Sequence, residues 1–123
     1  MHNNLIDTQL LVMPIGVVAD ILKVHKRTLR IYDKEGLLTP KRTSKNRRMY
    51  AYDDLEKARL ILFLTRNLAL NLLGAKMILG MLEEYSIKPK DYITFVQKIA
   101  KKQKINEQEN IEKTKKRGRK LKS

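Results

Sequence analysis

Cysteine and tryptophan are both absent from this chain of 123 residues. Because there is no cysteine, the chain can form neither a disulfide nor a thiolate metal site. The two histidines, His2 and His25, lie far apart and lack the spacing of a metal-ligand pair. The sequence therefore predicts a protein without a bound metal, and it favours a cytoplasmic location.

Long apolar runs are missing as well. The longest apolar-rich stretch, Leu60 to Leu64, is far shorter than the roughly 20 residues that a membrane-spanning helix needs. The N-terminal segment MHNNLIDTQLL has neither the charge nor the length of a signal peptide. We therefore expect no membrane association.

Sequence motifs of catalysis are also lacking. The chain has no glycine-rich phosphate loop, no nucleophile paired with a base and no metal-ligand spacing. The sequence therefore predicts that the protein is not an enzyme and binds no cofactor. Aromatic residues make up only 6% of the chain, mostly at core-like positions, whereas single-stranded RNA is bound by exposed aromatics. A basic RNA-binding protein is thus a less favoured alternative.

Acidic residues are outnumbered by basic ones, 13 against 27, so that the formal net charge is +14. The excess is uneven: residues 23–48 carry ten lysines and arginines against two acids, and residues 88–123 carry thirteen against four. Residues 49–87 are nearly neutral, with four basic residues against five acids. Two basic blocks around a neutral, apolar middle predict a polyanionic partner, of which double-stranded DNA is the one we favour.

The first basic block contains the pattern of two short helices joined by a turn. A helix begun by Pro14 places one apolar face toward the core, formed by Ile15, Val18, Ala19 and Leu22. Lys23 and Val24 leave room only for a turn. A second helix, from about His25 to Glu35, buries Leu29 and Tyr32, ends at the capping glycine Gly36, and turns a basic face outward through Lys26, Arg27, Arg30 and Lys34. This is the layout of a helix-turn-helix whose second helix enters the major groove.

A basic hairpin is predicted directly after the second helix. The segment TPKRTSKNRRMYAY reads as two short strands around a polar tip at Ser44 to Asn46, and residues 10–13 can add a third strand beside it. A hairpin in this position is a wing. The fold class that follows is mainly α: a winged helix-turn-helix domain with a C-terminal dimerisation helix and a basic tail.

The rest of the chain supplies the predicted domain boundaries. Residues 1–9 are a flexible arm, 10–87 the winged helix-turn-helix domain, 88–110 a dimerisation helix and 111–123 a disordered basic tail. A third helix is apolar nearly all round at residues 60–64 and should be covered partly by a partner. A fourth helix covers about 72–84, in which Met77 and Met81, like Met49 earlier, are expected to fill the core. The fifth helix, about 89–108, has a short heptad seam for a homodimer: Tyr92, Val96 and Ile99.

Four segments in order, HKRTLRIYDKEGLL, RT, RRMY and DDL, resemble the DNA-binding domain of the MerR family of transcriptional regulators. With NLLGAKMIL at residues 71–79, the resemblance extends to the heat-shock repressor (HspR-type) branch and covers about residues 10–82. The chain departs from the pattern at Lys26, where the branch has proline, and at Ala51, where the family prefers a serine cap. The resemblance implies a phosphate-anchoring role for Arg30, antiparallel pairing of the fifth helix, and a DnaK-type chaperone as co-repressor.

The candidate DNA contacts lie on the second helix and the wing. For several of them a structural role is the alternative: His25 and Thr28 can cap the helix, Tyr32 can be a core residue only, and Arg48 and Tyr50, which match the family's Arg-x-Tyr, can hold the wing against the helices. The predicted set is His25, Lys26, Arg27, Thr28, Arg30, Tyr32, Arg42, Lys45, Arg47, Arg48 and Tyr50.

These observations predict a homodimeric, sequence-specific, nucleoid-associated regulator that binds an inverted repeat. The resemblance narrows this to a repressor of stress or chaperone genes. Little chain follows residue 87, so we expect no small-molecule ligand. The basic tail can grip flanking DNA, bind a partner or aid solubility. An excisionase-like architectural protein that bends DNA is the alternative from another class, and it needs no dimer seam.

Overall fold

The computed structural model describes residues 12–108, and the predicted arm and basic tail lie outside these residues. The described part is mainly helical with one small antiparallel sheet. Its elements are β1 (Val12–Pro14), α1 (Ile15–Leu22), α2 (Lys26–Lys34), β2 (Lys41–Arg42), β3 (Arg48–Ala51), α3 (Tyr52–Arg66), α4 (Leu72–Glu84), a 3-10 turn (Pro89–Asp91) and α5 (Tyr92–Lys102). The chain divides into two compact units, residues 12–59 with 88–90, and residues 60–87 with 91–108.

Helices α1 and α2 form the helix-turn-helix of the first unit. Pro14 is the N-cap of α1 and the last residue of β1, so the helix begins one residue later than predicted. Lys23 takes a left-handed conformation with φ of 57°, and the Val24 N–H donates to the Ala19 carbonyl, which closes the turn. Gly36, with φ of 77°, ends α2 as the sequence predicts. The two helices are therefore joined within three residues.

The sheet has the strand order β1-β3-β2, with both pairs antiparallel. Val12 pairs with Ala51, and Lys41 pairs with Met49. The hairpin β2–β3, here called the wing, is thus flanked by a third strand on its β3 side. This confirms the described part of the predicted strand at residues 10–13.

An acid replaces the missing serine cap at the start of α3. The Ala51 N–H donates to Asp54 Oδ2 at 2.8 Å, which is the half of a capping box in which the third helical residue reaches back to the cap. Burial raises the pKa of the Asp54 carboxyl above its usual range, and this hydrogen bond offsets part of the shift. The departure at Ala51 therefore does not prevent the helix from starting there.

The apolar segment of α3 is covered within the single chain. Leu60, Ile61, Phe63 and Leu64 are all buried in the second unit. Leu62 alone in the segment is half-buried, so the expected cover from a partner is not required for the other four residues. Helix α4 has the predicted bounds, because Asn71 caps it by accepting a hydrogen bond from the Gly74 N–H at 2.8 Å.

Helix α5 is shorter than the predicted helix over residues 89–108. It ends at Lys102, because Lys104 turns left-handed with φ of 58° and the Ile105 N–H donates back to the Ala100 carbonyl. The chain then returns toward Asn67, whose carbonyl accepts from the Gln108 N–H and whose side-chain amide donates to Glu107. Heptads cannot continue through this reversal.

Two of the three predicted dimer residues belong to the core of one chain. Tyr92 is 2% exposed and Val96 9%, whereas Ile99 is 45% exposed. The three residues do follow a helical period. For Tyr92 and Val96, however, this period results from packing inside the second unit. Two of the three methionines that were expected to fill the core lie on the surface instead. Met77 and Met81 are exposed, while Met49 is half-buried.

Candidate nucleic-acid interface

Helix α2 separates its apolar and basic residues onto two faces. Leu29 and Tyr32 are buried, and the four basic side chains named for the outward face are all exposed: Lys26, Arg27, Arg30 and Lys34. The helix has only nine residues, so the four positive charges lie close together on its surface. Such a face can bind phosphates and the acceptor groups of base edges.

The side chains at the N-terminal end of α2 are at least partly accessible to a binding partner. His25 is the N-cap residue, but among the described residues its imidazole makes no capping hydrogen bond and it is exposed. Thr28 is half-buried, and its backbone N–H donates to the His25 carbonyl at 3.0 Å. Lys26 lies across the first turn of α1, where a Cβ added to Gly16 would stand 3.4 Å from the lysine Cε. The lysine stem is therefore supported by α1 and does not project freely.

The tip of the wing has a defined conformation that is set by two polar residues. Thr43 Oγ1 accepts hydrogen bonds from the backbone N–H groups of Lys45 and Arg47, at 3.3 and 3.1 Å. Asn46 takes the left-handed conformation with φ of 63°, which asparagine tolerates better than most residues. This is a three-residue hairpin loop at the predicted tip. It leaves Lys45 and Arg47 exposed at the end of the wing.

An aspartate on α2 holds both strands of the wing. Asp33 Oδ2 accepts from Arg48 Nε at 2.8 Å and from Arg42 Nη2 at 3.1 Å. Arg42 Nη1 also lies 3.4 Å from the carbonyl and the side-chain oxygen of Asn46. Arg42 and Arg48, both predicted as DNA contacts, therefore form ion pairs with Asp33, and these pairs connect the wing to α2.

The helix-turn-helix, the hairpin behind it and the basic faces match a known family. Residues 13–82 fit the family described as MerR HTH family regulatory protein, and this is more than half of the chain. The chain belongs to the MerR family. The fit covers all elements from the end of β1 to most of α4.

Relatives from two branches of the MerR family are similar to the chain. The HTH-type transcriptional regulator GlnR of Bacillus anthracis is 37% identical over 70 residues, which are 57% of this chain and 54% of GlnR. A Streptomyces coelicolor protein named as a heat shock protein, HspR, is 38% identical over 67 residues, 54% of this chain and 44% of HspR. The chain thus spans about half the length of the curated relatives it matches. A MerR-family transcriptional regulator of Bacillus cereus has a similar crystal structure, with 27% identity, 74% coverage of each chain and a TM-score of 0.53.

Tyr50 does not reach the surface of this MerR-family domain. It is completely buried in β3, and no hydrogen-bond partner for its hydroxyl occurs among the described residues. Burial raises the pKa of Tyr50 to about 12, and the nearby Arg48 guanidinium offsets part of the rise. The prediction of Tyr50 as a DNA contact is therefore wrong, and its alternative role in holding the wing is the one that its burial favours. Tyr32 is buried as well, at 4% exposure.

Three residues of this surface were missed in the sequence. Ile31 is 40% exposed and lies one helical turn after Arg27, on the same face. Asp33 follows the buried Tyr32 at the edge of α2 that faces the wing, a position that its charge alone does not indicate. Lys41 is exposed on β2. The sequence does contain a signal for Ile31: it is an apolar residue that falls outside the apolar face formed by Leu29 and Tyr32.

The described residues contain no cluster of three or more histidine, aspartate or glutamate side chains that could hold a metal ion. Within residues 12–108, no helix combines the length and the apolar character needed to cross a bilayer.

Proposed function

We propose that the chain is a sequence-specific, DNA-binding transcriptional regulator that acts as a homodimer on an inverted repeat. Each subunit would place α2 in a major groove with the wing against the neighbouring backbone. The observation that carries the proposal is the exposed basic face of α2 joined through Asp33 to a basic hairpin.

The side chains divide into two classes of contact. Arg27, in the first turn of α2, and Ile31, one turn later, lie on one exposed face, where a guanidinium can pair with guanine and an apolar group can pack on a thymine methyl. His25 and Thr28 border this face. Arg30 and Lys34, which lie four residues apart on the adjoining side of the helix, suit phosphates, as do Lys45 and Arg47 on the wing. Lys26, supported by the first turn of α1, suits either a phosphate or a base edge.

Repression of stress or chaperone genes is the finer form of the proposal. Its support is the similarity to a relative named as a heat shock protein, HspR. GlnR, named as a transcriptional regulator, is a similar relative at nearly the same identity. The mechanism would be occupancy of an operator, with a DnaK-type chaperone as co-repressor.

Selection from a pool of random duplexes tests the function. We expect purified full-length protein to enrich an inverted repeat with half-site centres about 34–36 Å apart, or a multiple of that distance, because two recognition helices must enter grooves on one side of the duplex. Footprinting of the enriched site should then protect both half-sites. A pool that remains random after repeated selection would contradict sequence-specific binding.

An architectural role in DNA bending is the second candidate, and one observation favours it. Tyr92 and Val96 are buried within a single chain, which removes most of the predicted dimer seam. A protein that stays monomeric in sedimentation at micromolar concentration and bends a duplex without a preferred inverted repeat would establish this alternative. Binding of duplex DNA in preference to single-stranded RNA separates both candidates from an RNA-binding protein.

A further inference from the structure

Helix α4 has an apolar stripe that faces away from its core side. Leu73, Met77 and Met81 follow one another at intervals of four residues, and they are 76%, 66% and 50% exposed. Tyr85, the C-cap residue four positions later, is 75% exposed. The opposite face of the helix is buried through Ala75, Leu79 and Leu82. The helix is thus apolar on two faces, and the second unit covers only one of them.

Large apolar side chains at this exposure need a covering surface. Contiguous apolar patches on soluble proteins mark interaction sites, and methionine is frequent at such surfaces. The stripe lines an open groove along α4, together with Gly74, Lys76, Gly80 and Glu84. At the C-terminal end, Met81 and Tyr85 also border an apolar pocket of about 280 Å³, whose other walls include Phe95 and Ile99.

No contact among the described residues explains the glycine at position 80. A Cβ built at this position meets no atom within 4 Å, and the residue is exposed in the interior of a helix. Glycine is less favourable than alanine in a helix interior, because it loses more conformational freedom on folding. A second helix that approaches closely at this point would supply the reason for its small size.

The charges beside the stripe are arranged for pairing with an identical helix. Lys76 lies four residues before Gly80 and Glu84 lies four residues after it, and both are exposed in the same groove. When two copies of α4 run antiparallel about a twofold axis near Gly80, each Lys76 meets Glu84 of the other copy, and Met77 and Met81 of both copies gather beside the axis. A parallel arrangement would instead place like charges together. The face is therefore complementary to itself in one orientation.

We propose that this stripe is the surface through which two copies of the chain associate, as an antiparallel pair of α4 helices. The proposal rests on the proposed function, since an inverted repeat requires two recognition helices in one assembly. The stripe from Leu73 to Tyr85 is roughly 18 Å long. Stable dimers bury about 1,200–2,000 Å² in total, so the contact extends over Phe95 and Ile99 at the apolar pocket.

Sedimentation of full-length protein tests the surface. Met77→Glu places a charge in the centre of the stripe, and we expect it to raise the dimer dissociation constant at least about tenfold, because an unpaired charge would be buried at the contact. Ile105→Glu is the matched control, since Ile105 is 51% exposed outside the stripe, and it should dimerise like the wild type. Circular dichroism and thermal unfolding should be unchanged in both variants. A folded Met77→Glu protein that dimerises like the wild type overturns the proposal.

Charge reversal tests the orientation and the identity of the partner. Lys76→Glu and Glu84→Lys each create two like-charge pairs per dimer, so each should weaken self-association by about 2- to 30-fold. A mixture of the two variants restores both opposite-charge pairs, and it should form a heterodimer with nearly wild-type affinity. Variants that do not complement each other contradict antiparallel self-pairing. A wild-type protein that stays monomeric while the stripe binds another protein contradicts it as well.

The two proposals fail in different ways. If α4 pairs the subunits but the chain does not read DNA, Met77→Glu will abolish the dimer and no protein will select a sequence. If the chain reads DNA but associates elsewhere, Met77→Glu will remain a dimer and still protect both half-sites. The result expected from both together is a Met77→Glu monomer that binds a single half-site with wild-type sequence preference.

Discussion

Asp33 of α2 forms ion pairs with both strands of the wing. Its carboxylate accepts hydrogen bonds from arginines on both strands of the wing, at 2.8 and 3.1 Å, and it is itself half-buried. A charge that satisfies two arginines fixes their side chains and lowers the net positive charge of the surface. Under the proposed function Asp33 is therefore a positioning residue, because it holds Arg42 and Arg48 of the wing against α2 and is not itself assigned a DNA contact.

Replacing Asp33 should separate affinity from sequence preference. We expect Asp33→Ala to lower the free energy of unfolding by about 0.5–2 kcal/mol, since two partly exposed ion pairs are lost. Binding to random duplex should be retained or increased, because the freed arginines can reach phosphates, while the ratio of operator to random binding falls. Urea unfolding and competition binding measure the two effects. Asp20→Ala removes the same charge from exposed α1, and equal behaviour of the two variants would contradict the positioning role.

Asp54 predicts a pH dependence of stability with a definite sign. Burial raises the pKa of the carboxyl above its usual value of 3.8, so the folded state holds the proton more tightly than the unfolded state. Its protonation therefore stabilises the fold as pH falls through the folded-state pKa, and the effect is complete below the unfolded value. The substitution Asp54→Asn would keep an acceptor for the Ala51 N–H without a titrating group, so the stability of wild type relative to this variant should rise as pH falls from neutral toward the usual carboxyl pKa of 3.8. Urea unfolding that shows a flat or falling difference would contradict this.

At the scale of elements, local signals predicted most boundaries correctly. The alternation of Leu29 and Tyr32 with basic residues indicated α2, and Gly36 indicated its end. The wing tip followed from the polar stretch Ser44 to Asn46, in which Asn46 takes the left-handed conformation. These features depend on neighbouring residues only, which is why the sequence contains them.

The errors concern which surface an apolar face contacts. A helical period shows that Tyr92 and Val96 are buried, but the same period results from packing inside one chain and from packing between two. The end of α5 was missed because a left-handed lysine at position 104, unlike a glycine, leaves no signal. Met77 and Met81 were assigned to the core because they are apolar, although they lie on the face opposite Ala75 and Leu79.

The start of α3 offers a test of how an element is capped. Asp54 forms one half of a capping box, and Ala51 cannot form the other half. We expect Ala51→Ser to stabilise the protein by about 0.5–1 kcal/mol, because a serine hydroxyl can accept the Asp54 N–H. Thermal unfolding measures this change. Ala58→Ser is the control at a fully buried helix position and should be destabilising, and a loss of stability in Ala51→Ser itself would contradict the capping argument.

At the scale of the whole molecule, charge and apolar surface are separated along the sequence. Ten of the basic residues fall in residues 23–48, which contain α2 and most of the wing, and the exposed apolar stripe of α4 falls in the nearly neutral block 49–87. A surface for a polyanion and a surface for an apolar partner thus come from different parts of the chain. The two surfaces share no residue, so each can be mutated separately.

In the proposed complex α2 reads bases and the wing contacts the DNA backbone, and this division of roles is the central claim. The most direct measurement is binding of Arg27→Ala and Arg47→Ala to every single-base variant of the selected operator at one salt concentration, with Lys98→Ala on exposed α5 as the control. Arg27→Ala should lose about 1–3 kcal/mol on the operator and become indifferent to one base pair in each half-site. Arg47→Ala should weaken operator and random duplex by similar factors. A wing variant that changes base preference, together with a helix variant that loses affinity evenly on all sequences, would contradict the assignment.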